Sequence, residues 1–442
     1  MDLQRYTERR QKFLDAMSDG IALFRTAPTA VRNSDVDHPW RPDSDFVYLT
    51  GFEEPEAAAA FIKDGDSRRF VLFVRPSDPE VEVWSGRRAG VAGALADFGA
   101  DEAYPIGEMA TRLRDLLTNR PRLYLEFGRD AAFEGQVTST IEALKSEARK
   151  NLCGPWEMCD PRSILWGMRL RKDDADVADL ERACRITTDG FSAAMRAVRP
   201  GMSERELAAV LEFEFRRRGS PRNSFETICA GGMNATTLHY VRNDGVLADG
   251  TLVLIDAGAE WGYVAADVSR TFPVSGRFEG MARRVYQVVL DAQHAAIAAI
   301  RPGATYAGVH EAGLRVLCAG LRALSVVDED VDSMVASGSY RPYFMHRIGH
   351  WLGLDVHDVG PYYVRNESIP LQAGMVLTIE PGLYFNEAAP AHVRGIGVRI
   401  EDDVLVTEDG SRILTDLPRE IADIEALMAP PGSWWNDVRP LP

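Results

Sequence analysis

The chain has 442 residues, 45% of them hydrophobic and 26% charged, the composition of a folded protein with room for two or three domains. Its 50 Lys and Arg against 66 Asp and Glu leave a net charge of −16, which argues against a nucleic-acid or anionic-membrane partner. No secretory leader or membrane-length apolar run is visible, and the 5 cysteines lack metal-ligand spacing, so free thiols and a cytoplasmic location are expected.

In chain order, RRFVLFV (68–74) and VEVW (81–84) read as strands, and EMATRLRDLLT (108–118) as an amphipathic helix. RLYLEF (122–127) reads as another strand and VTSTIEALKSEAR (137–149) as another helix. The character changes near CDPRSILWGMRLR (159–171), and a long helical pattern begins at about Asp174. The chain then repeats itself weakly. FSAAMRAVRPGMSERELAAVLEFEF (191–215) resembles QHAAIAAIRPGATYAGVHEAGLRVL (293–317), each a helix, an Arg-Pro-Gly break and a second helix. Pro200 and Pro302 forbid continuation of the first helix, and Ser203 with Glu206 has capping-box spacing. A duplicated helix-pair unit predicts a two-fold-like domain, with strands following each pair.

LVLIDAGAEWGYVAADVSRTF (252–272) places Asp256 and Asp267 among apolar strand residues. A two-residue turn centred on Trp261 and Gly262 would set these carboxylates directly opposite each other. At about 5 Å they would repel by roughly 3 kcal/mol at an effective dielectric near 20, so a positive group is expected between them. A second acidic pair follows. MVLTIE (375–380) is a strand ending at Pro381-Gly382, and VRIE (398–401) turns Arg399 and Glu401 to the face opposite Val398 and Ile400. HRIGHWLGLDVH holds His346, His350 and His357, and His239 sits in TTLHY. A buried Asp or a strand-end Glu is ordinarily structural. Two carboxylate pairs with a histidine cluster between them match the donors of a paired divalent-cation site, with one imidazole completing the set. Such sites supply a hydroxide nucleophile at neutral pH.

The motifs DAGAEWGYVAADVSRTFPVSG, FMHRIGHWLGLDVHDVG, TIEPGLYF and GIGVRIEDDVLVT resemble the aminopeptidase P and prolidase family of pita-bread metallopeptidases. RPDSDFVYLTGFEEPEA (41–57) and VEVWSGRRAG (81–90) resemble the N-terminal domain of its bacterial aminopeptidase members. The resemblance implies an α/β chain: an N-terminal α/β domain with a mixed sheet (1–172), a pseudo-two-fold α+β catalytic domain of the pita-bread fold (173–430), and a tail (431–442) that matches nothing.

It further implies hydrolysis of the N-terminal Xaa-Pro bond by a hydroxide bridging two divalent ions, manganese first, with zinc or cobalt as substitutes. Asp256 would chelate one ion, Asp267 and Glu401 would bridge both, and His350 with Glu380 would complete the other. Glu380 would also accept and return the proton, and His239 would stabilise the oxyanion. His357 would contact substrate near the scissile bond and His346 would line the proline site. Arg399 would bind at the substrate side and orient carboxylates, and Trp84 would reach a neighbouring subunit's site in a homo-oligomer. Partners are therefore peptides with proline second. A strict Xaa-Pro dipeptidase shares all five ligands but needs a cation for the dipeptide carboxylate, for which Arg365 is the loop candidate. Metal-free creatinase-like hydrolases and non-catalytic modules lose the ligands present here, and methionine aminopeptidases lack the large N-terminal domain.

Overall fold

A computed structural model describes residues 3–430 together with Ser433 and Trp434, so most of the 431–442 tail lies outside the described residues. The chain divides into two compact units, the break falling between Met168 and Arg169. All five cysteines are free.

The N-terminal unit is built on a six-stranded mixed sheet. Its central hairpin, Ala58–Asp64 with Ser67–Val74, turns at Gly65-Asp66 and packs antiparallel to Gly20–Arg25. Arg122–Tyr124 and Glu157–Cys159 extend that side in parallel, and Glu102–Pro105 runs parallel to Ser67–Val74 at the other edge. Ile21, Leu23, Ala60, Val71 and Phe73 meet Leu113, Leu117, Val137 and Ile141 of the helices Met109–Leu117 and Ala131–Ser146. Full burial of such side chains stabilises by about 1.5–3 kcal/mol each.

One element departs from the sequence expectation. Val81–Trp84 is part of a helix, Pro79–Ser85, not a strand. Asp78 caps it by accepting the Glu80 N–H, and Pro79 occupies the first turn, where its missing N–H costs nothing. The alternating pattern leaves Val83 and Trp84 on the surface, 82% and 89% exposed.

In the second unit the duplication is physical. Helices Asp174–Ala197 and Glu204–Arg217 form one pair, and Gly280–Ala298 and Tyr306–Ala323 the other. Each break is clasped in the same way. The Gly201 N–H donates to the Leu247 carbonyl and the Leu247 N–H returns to Met202; the Gly303 N–H donates to Leu371 and the Leu371 N–H returns to Ala304. Ser203 and Thr305 cap the second helix of each pair. After the first pair comes a three-stranded antiparallel sheet, Val268–Pro273, Leu252–Ala257 and Ile228–Gly231. After the second comes another, Val376–Ile379, Asp402–Val406 and Ser411–Ile413, beside the pair Gly382–Tyr384 and Gly397–Arg399.

Candidate metal centre

The first acidic pair sits on Leu252–Ala257 and at the entry to Val268–Pro273, and its register differs from the expected one. The turn is Gly262-Tyr263, with φ of 56° and 69°, and Asp256 faces Ser269. Asp267 is therefore offset by two residues from the position opposite Asp256. A shift of two preserves the face, so the carboxylates become diagonal neighbours on one side of the ribbon. Trp261 holds this register, packing on the core and under the Arg182 guanidinium at 5.3 Å. Tyr263 is left to take the left-handed backbone.

His350 and Glu380 are neighbours because Ile348–Leu352 lies along Val376–Ile379. Thr378 N–H donates to the His350 carbonyl (2.9 Å), Glu380 N–H to Ile348 (2.7 Å) and Leu352 N–H to Val376 (3.1 Å). Glu401 reaches the first pair because its own N–H donates to the Ser269 carbonyl (3.0 Å), while Thr271 and Arg399 exchange hydrogen bonds. The two halves of the duplication are stitched together at the acids.

Asp256, Asp267, His350, Glu380 and Glu401 all line one cavity of about 500 Å³, together with His239, His346, His357 and Arg399. Trp84, which lies in the N-terminal unit, is absent from its wall, as is Arg365. One donor atom each from Asp267, His350 and Glu401 falls within a 4.8 Å cluster. The His350 Nε2 lies 3.4 Å from Asp267 Oδ2 and 3.7 Å from Glu380 Oε1. Its Nδ1–H donates to the Trp351 carbonyl at 3.0 Å, which fixes the tautomer and turns the Nε2 lone pair inward.

The residues fit divalent ions. The Oδ1 atoms of Asp256 and Asp267 are buried without a hydrogen-bond partner, a cost that a bound cation would remove. Burial, then repulsion from Asp256 and the other acids, pushes the Asp267 carboxyl well above its ordinary range. Burial and the same neighbours do likewise to Glu401. Burial lifts Glu380 to about 7. Hard cations bound by oxygen donors and one imidazole reverse this penalty.

Arg399 is the cavity's internal cation and is fully engaged. Burial works against its charge, but Tyr384, Asp256 and Glu401 hold it protonated. It donates to Asp256 Oδ2 (2.5 Å), Ser269 Oγ (2.8 Å) and Tyr384 Oη (3.0 Å). Ser269 passes the hydrogen bond on to Glu401 Oε2 (2.8 Å). The Tyr384 hydroxyl lies 2.8 Å from His346 Nε2, whose Nδ1–H donates to the Arg347 carbonyl. His346 is thereby neutral, and burial with Arg399 nearby lowers it to about 3. His357 stacks edge-on against His350 at 4.3 Å, and burial and His350 lower it too.

Ser269 and Tyr384 were missed in the sequence although both stand inside quoted motifs. A hydroxyl that links two charged groups has no spacing signature. Asp403 was missed for the same reason: its Oδ2 accepts the Asp267 N–H at 3.1 Å and the Cys184 thiol at 3.2 Å.

Comparison with known proteins gives the family. Residues 178–408 match the model of metallopeptidase family M24, and residues 6–124 match the aminopeptidase P N-terminal domain. The chain is 41% identical to Xaa-Pro aminopeptidase of Escherichia coli over 96% of its length and 97% of the relative's. It is 34% identical to mouse Xaa-Pro aminopeptidase 3 over 93% of its length and 81% of the relative's. The structure of Pseudomonas aeruginosa aminopeptidase PepP superposes with a TM-score of 0.94 at 42% identity, covering 97% of this chain and 98% of that one. Escherichia coli aminopeptidase P in complex with substrate does so with a TM-score of 0.94 at 40% identity over the same shares. With a duplicated scaffold that places its acids together and near-complete relatives in both sequence and structure, the chain belongs to metallopeptidase family M24 and carries an aminopeptidase P N-terminal domain.

Proposed function

We propose that this protein is a metal-dependent Xaa-Pro aminopeptidase, hydrolysing the bond between the N-terminal residue of a peptide and a following proline. The observation that carries the reading is the convergence of Asp256, Asp267, His350, Glu380 and Glu401 on one cavity, in a chain 41% identical to Xaa-Pro aminopeptidase of Escherichia coli. Asp256, Asp267, His350, Glu380 and Glu401 would hold the divalent ions. Bound divalent ions, manganese in the first instance, supply an activated water nucleophile at neutral pH and polarise the scissile carbonyl. Glu380 takes the proton from the attacking water and returns it to the leaving nitrogen. His239 donates to the developing oxyanion and His357 contacts the substrate beside the bond.

His346 forms a neutral wall for the proline ring beside Arg399, with Tyr384 holding both from behind. An Xaa-Pro bond is a tertiary amide without an N–H, so its recognition requires a shaped wall and no acceptor for that proton. Trp84, exposed on its helix, docks against a second copy in a homo-oligomer. The free cysteines agree with a cytoplasmic location, and no helix among the described residues is long and apolar enough to cross a membrane.

A strict dipeptidase would need a free cation for the substrate carboxylate. Arg365 lies in the exposed turn of the hairpin Tyr363–Val364 and Glu367–Ser368 and does not line the cavity, and Arg399 is already committed. The test is hydrolysis of Xaa-Pro against Xaa-Pro-Yaa, with and without manganese. Manganese-dependent release of Xaa from the tripeptide is expected; cleavage of the dipeptide alone would assign the dipeptidase instead.

A further inference from the structure

Between the strands Ile228–Gly231 and Leu252–Ala257 the chain makes one short 3-10 turn, Gly232–Thr236, and then runs without helix or strand. This excursion nevertheless carries Leu238, His239 and Val241 into the cavity wall. Backbone that lacks a ladder must be held by side chains or water. Here it converges on Glu204, the first residue of the helix Glu204–Arg217 and only 1% exposed. Oε1 of Glu204 accepts the Gly231 N–H at 2.7 Å and the Asn234 side-chain amide at 2.8 Å. Oε2 accepts the Tyr240 hydroxyl at 2.9 Å and the Gly245 N–H at 2.7 Å. The Glu204 N–H donates back to the Gly245 carbonyl at 3.0 Å. The start of the excursion, its helical turn, the residue after His239 and Gly245 beyond it are thus tied to one buried carboxylate, at a helix start that favours negative charge. Glu204 does not line the cavity.

We propose that Glu204 is the positioning residue for His239: it sets where that imidazole stands without touching substrate. The inference rests on the peptidase reading above. A glutamine at this position keeps the shape but turns an amide N–H₂ toward groups that are themselves donors, so part of the clasp opens. Misplacement of a catalytic group by about 1 Å costs on the order of 100-fold in rate.

The test combines Glu204→Gln, His239→Ala and the double variant, with turnover of an Xaa-Pro-Yaa peptide at saturating manganese and hydrogen exchange of residues 232–245. Glu204→Gln is expected to lower kcat by about 10–100-fold at unchanged metal content and to speed exchange of the loop. In the His239→Ala background it should cost little more. An equal loss in both backgrounds, or wild-type kcat and loop protection in Glu204→Gln, overturns the proposal. If Glu204→Gln does not fold, Tyr240→Phe removes one donor from the clasp; a smaller loss that vanishes with His239→Ala supports the assignment, and an additive loss rejects it. Should the wild-type protein cleave no Xaa-Pro peptide, the functional reading fails by itself. Loop exchange then decides the anchoring separately, faster exchange in the variant upholding it and unchanged protection refuting it.

Discussion

Ser269 donates no bond to an ion in the proposed site, yet it stands between Arg399 and Glu401 and makes one hydrogen-bonded unit of Asp256, Arg399, Ser269 and Glu401. Graded effects follow from this chain. Asp256→Ala or Glu401→Ala removes a proposed ligand, and we expect loss of bound metal and of activity with the fold retained. Ser269→Ala leaves every ligand in place but frees Glu401 to rotate, and a loss of about 10–100-fold in metal affinity is expected, as for other groups that orient ligands. Metal titration by calorimetry checks both; full affinity in Ser269→Ala would remove the hydroxyl from the account. The acids and histidines of the cavity were legible in the sequence because buried charge is rare and clustered charge rarer. The turn was misplaced by one position because Gly ordinarily takes the second site of such a turn, whereas here Gly262 comes first and a tyrosine accepts positive φ.

Among the elements, the segment Gly353–Asp358 leads into and carries His357, and it is fixed by charge. Asp358 is buried between Arg169 and Lys172, at 2.5 and 2.9 Å. Burial alone would raise its carboxyl, but Lys172 and Arg169 outweigh that and hold it below the ordinary range. Asp358→Asn takes the carboxylate from Lys172 while Arg169 keeps Asp355 at 2.7 Å, and a loss of about 3 kcal/mol is expected, read as a shift in the denaturant midpoint of the second unit.

The helix Tyr306–Ala323 gives a pH signature. His310 accepts the Ile348 N–H at 3.2 Å through Nδ1, and burial lowers it from 6.5 to about 4. Between those values the unfolded chain binds more protons than the folded one, so stability is complete above about 6.5 and falls as pH drops toward 4, by at most about 3 kcal/mol. His310→Gln should flatten that slope in urea titrations between pH 7 and 4. A slope that survives the substitution would place the titration elsewhere. The helix Pro79–Ser85 shows the limit of sequence patterns at this scale: Val81 and Val83 alternate with acids as a strand would, and only the Asp-Pro start betrays the helix.

For the whole molecule, the repeat seen at 191–215 and 293–317 was the most informative sequence feature, because helix punctuation survives where side chains diverge. The clasps at Gly201 and Gly303 show that it extends to backbone hydrogen bonds that no residue pattern encodes. Removing metal should then weaken the second unit alone. At a free-ion concentration 100 times the dissociation constant, binding contributes about 2.7 kcal/mol, so a chelator should lower the thermal midpoint of that unit and leave the N-terminal unit's midpoint in place. Equal shifts in both transitions would speak against it.

The stitching of the two halves at Ser269 and Glu401 carries one more implication. Asp256 and Asp267 belong to the first half of the duplication, and His350, Glu380 and Glu401 to the second. A nascent chain that has completed only its earlier half offers two carboxylates and no imidazole from this set, too poor a trap to retain a cation against cellular competition. The five candidate ligands are therefore all present only once synthesis has passed Glu401, in the later half of the duplication.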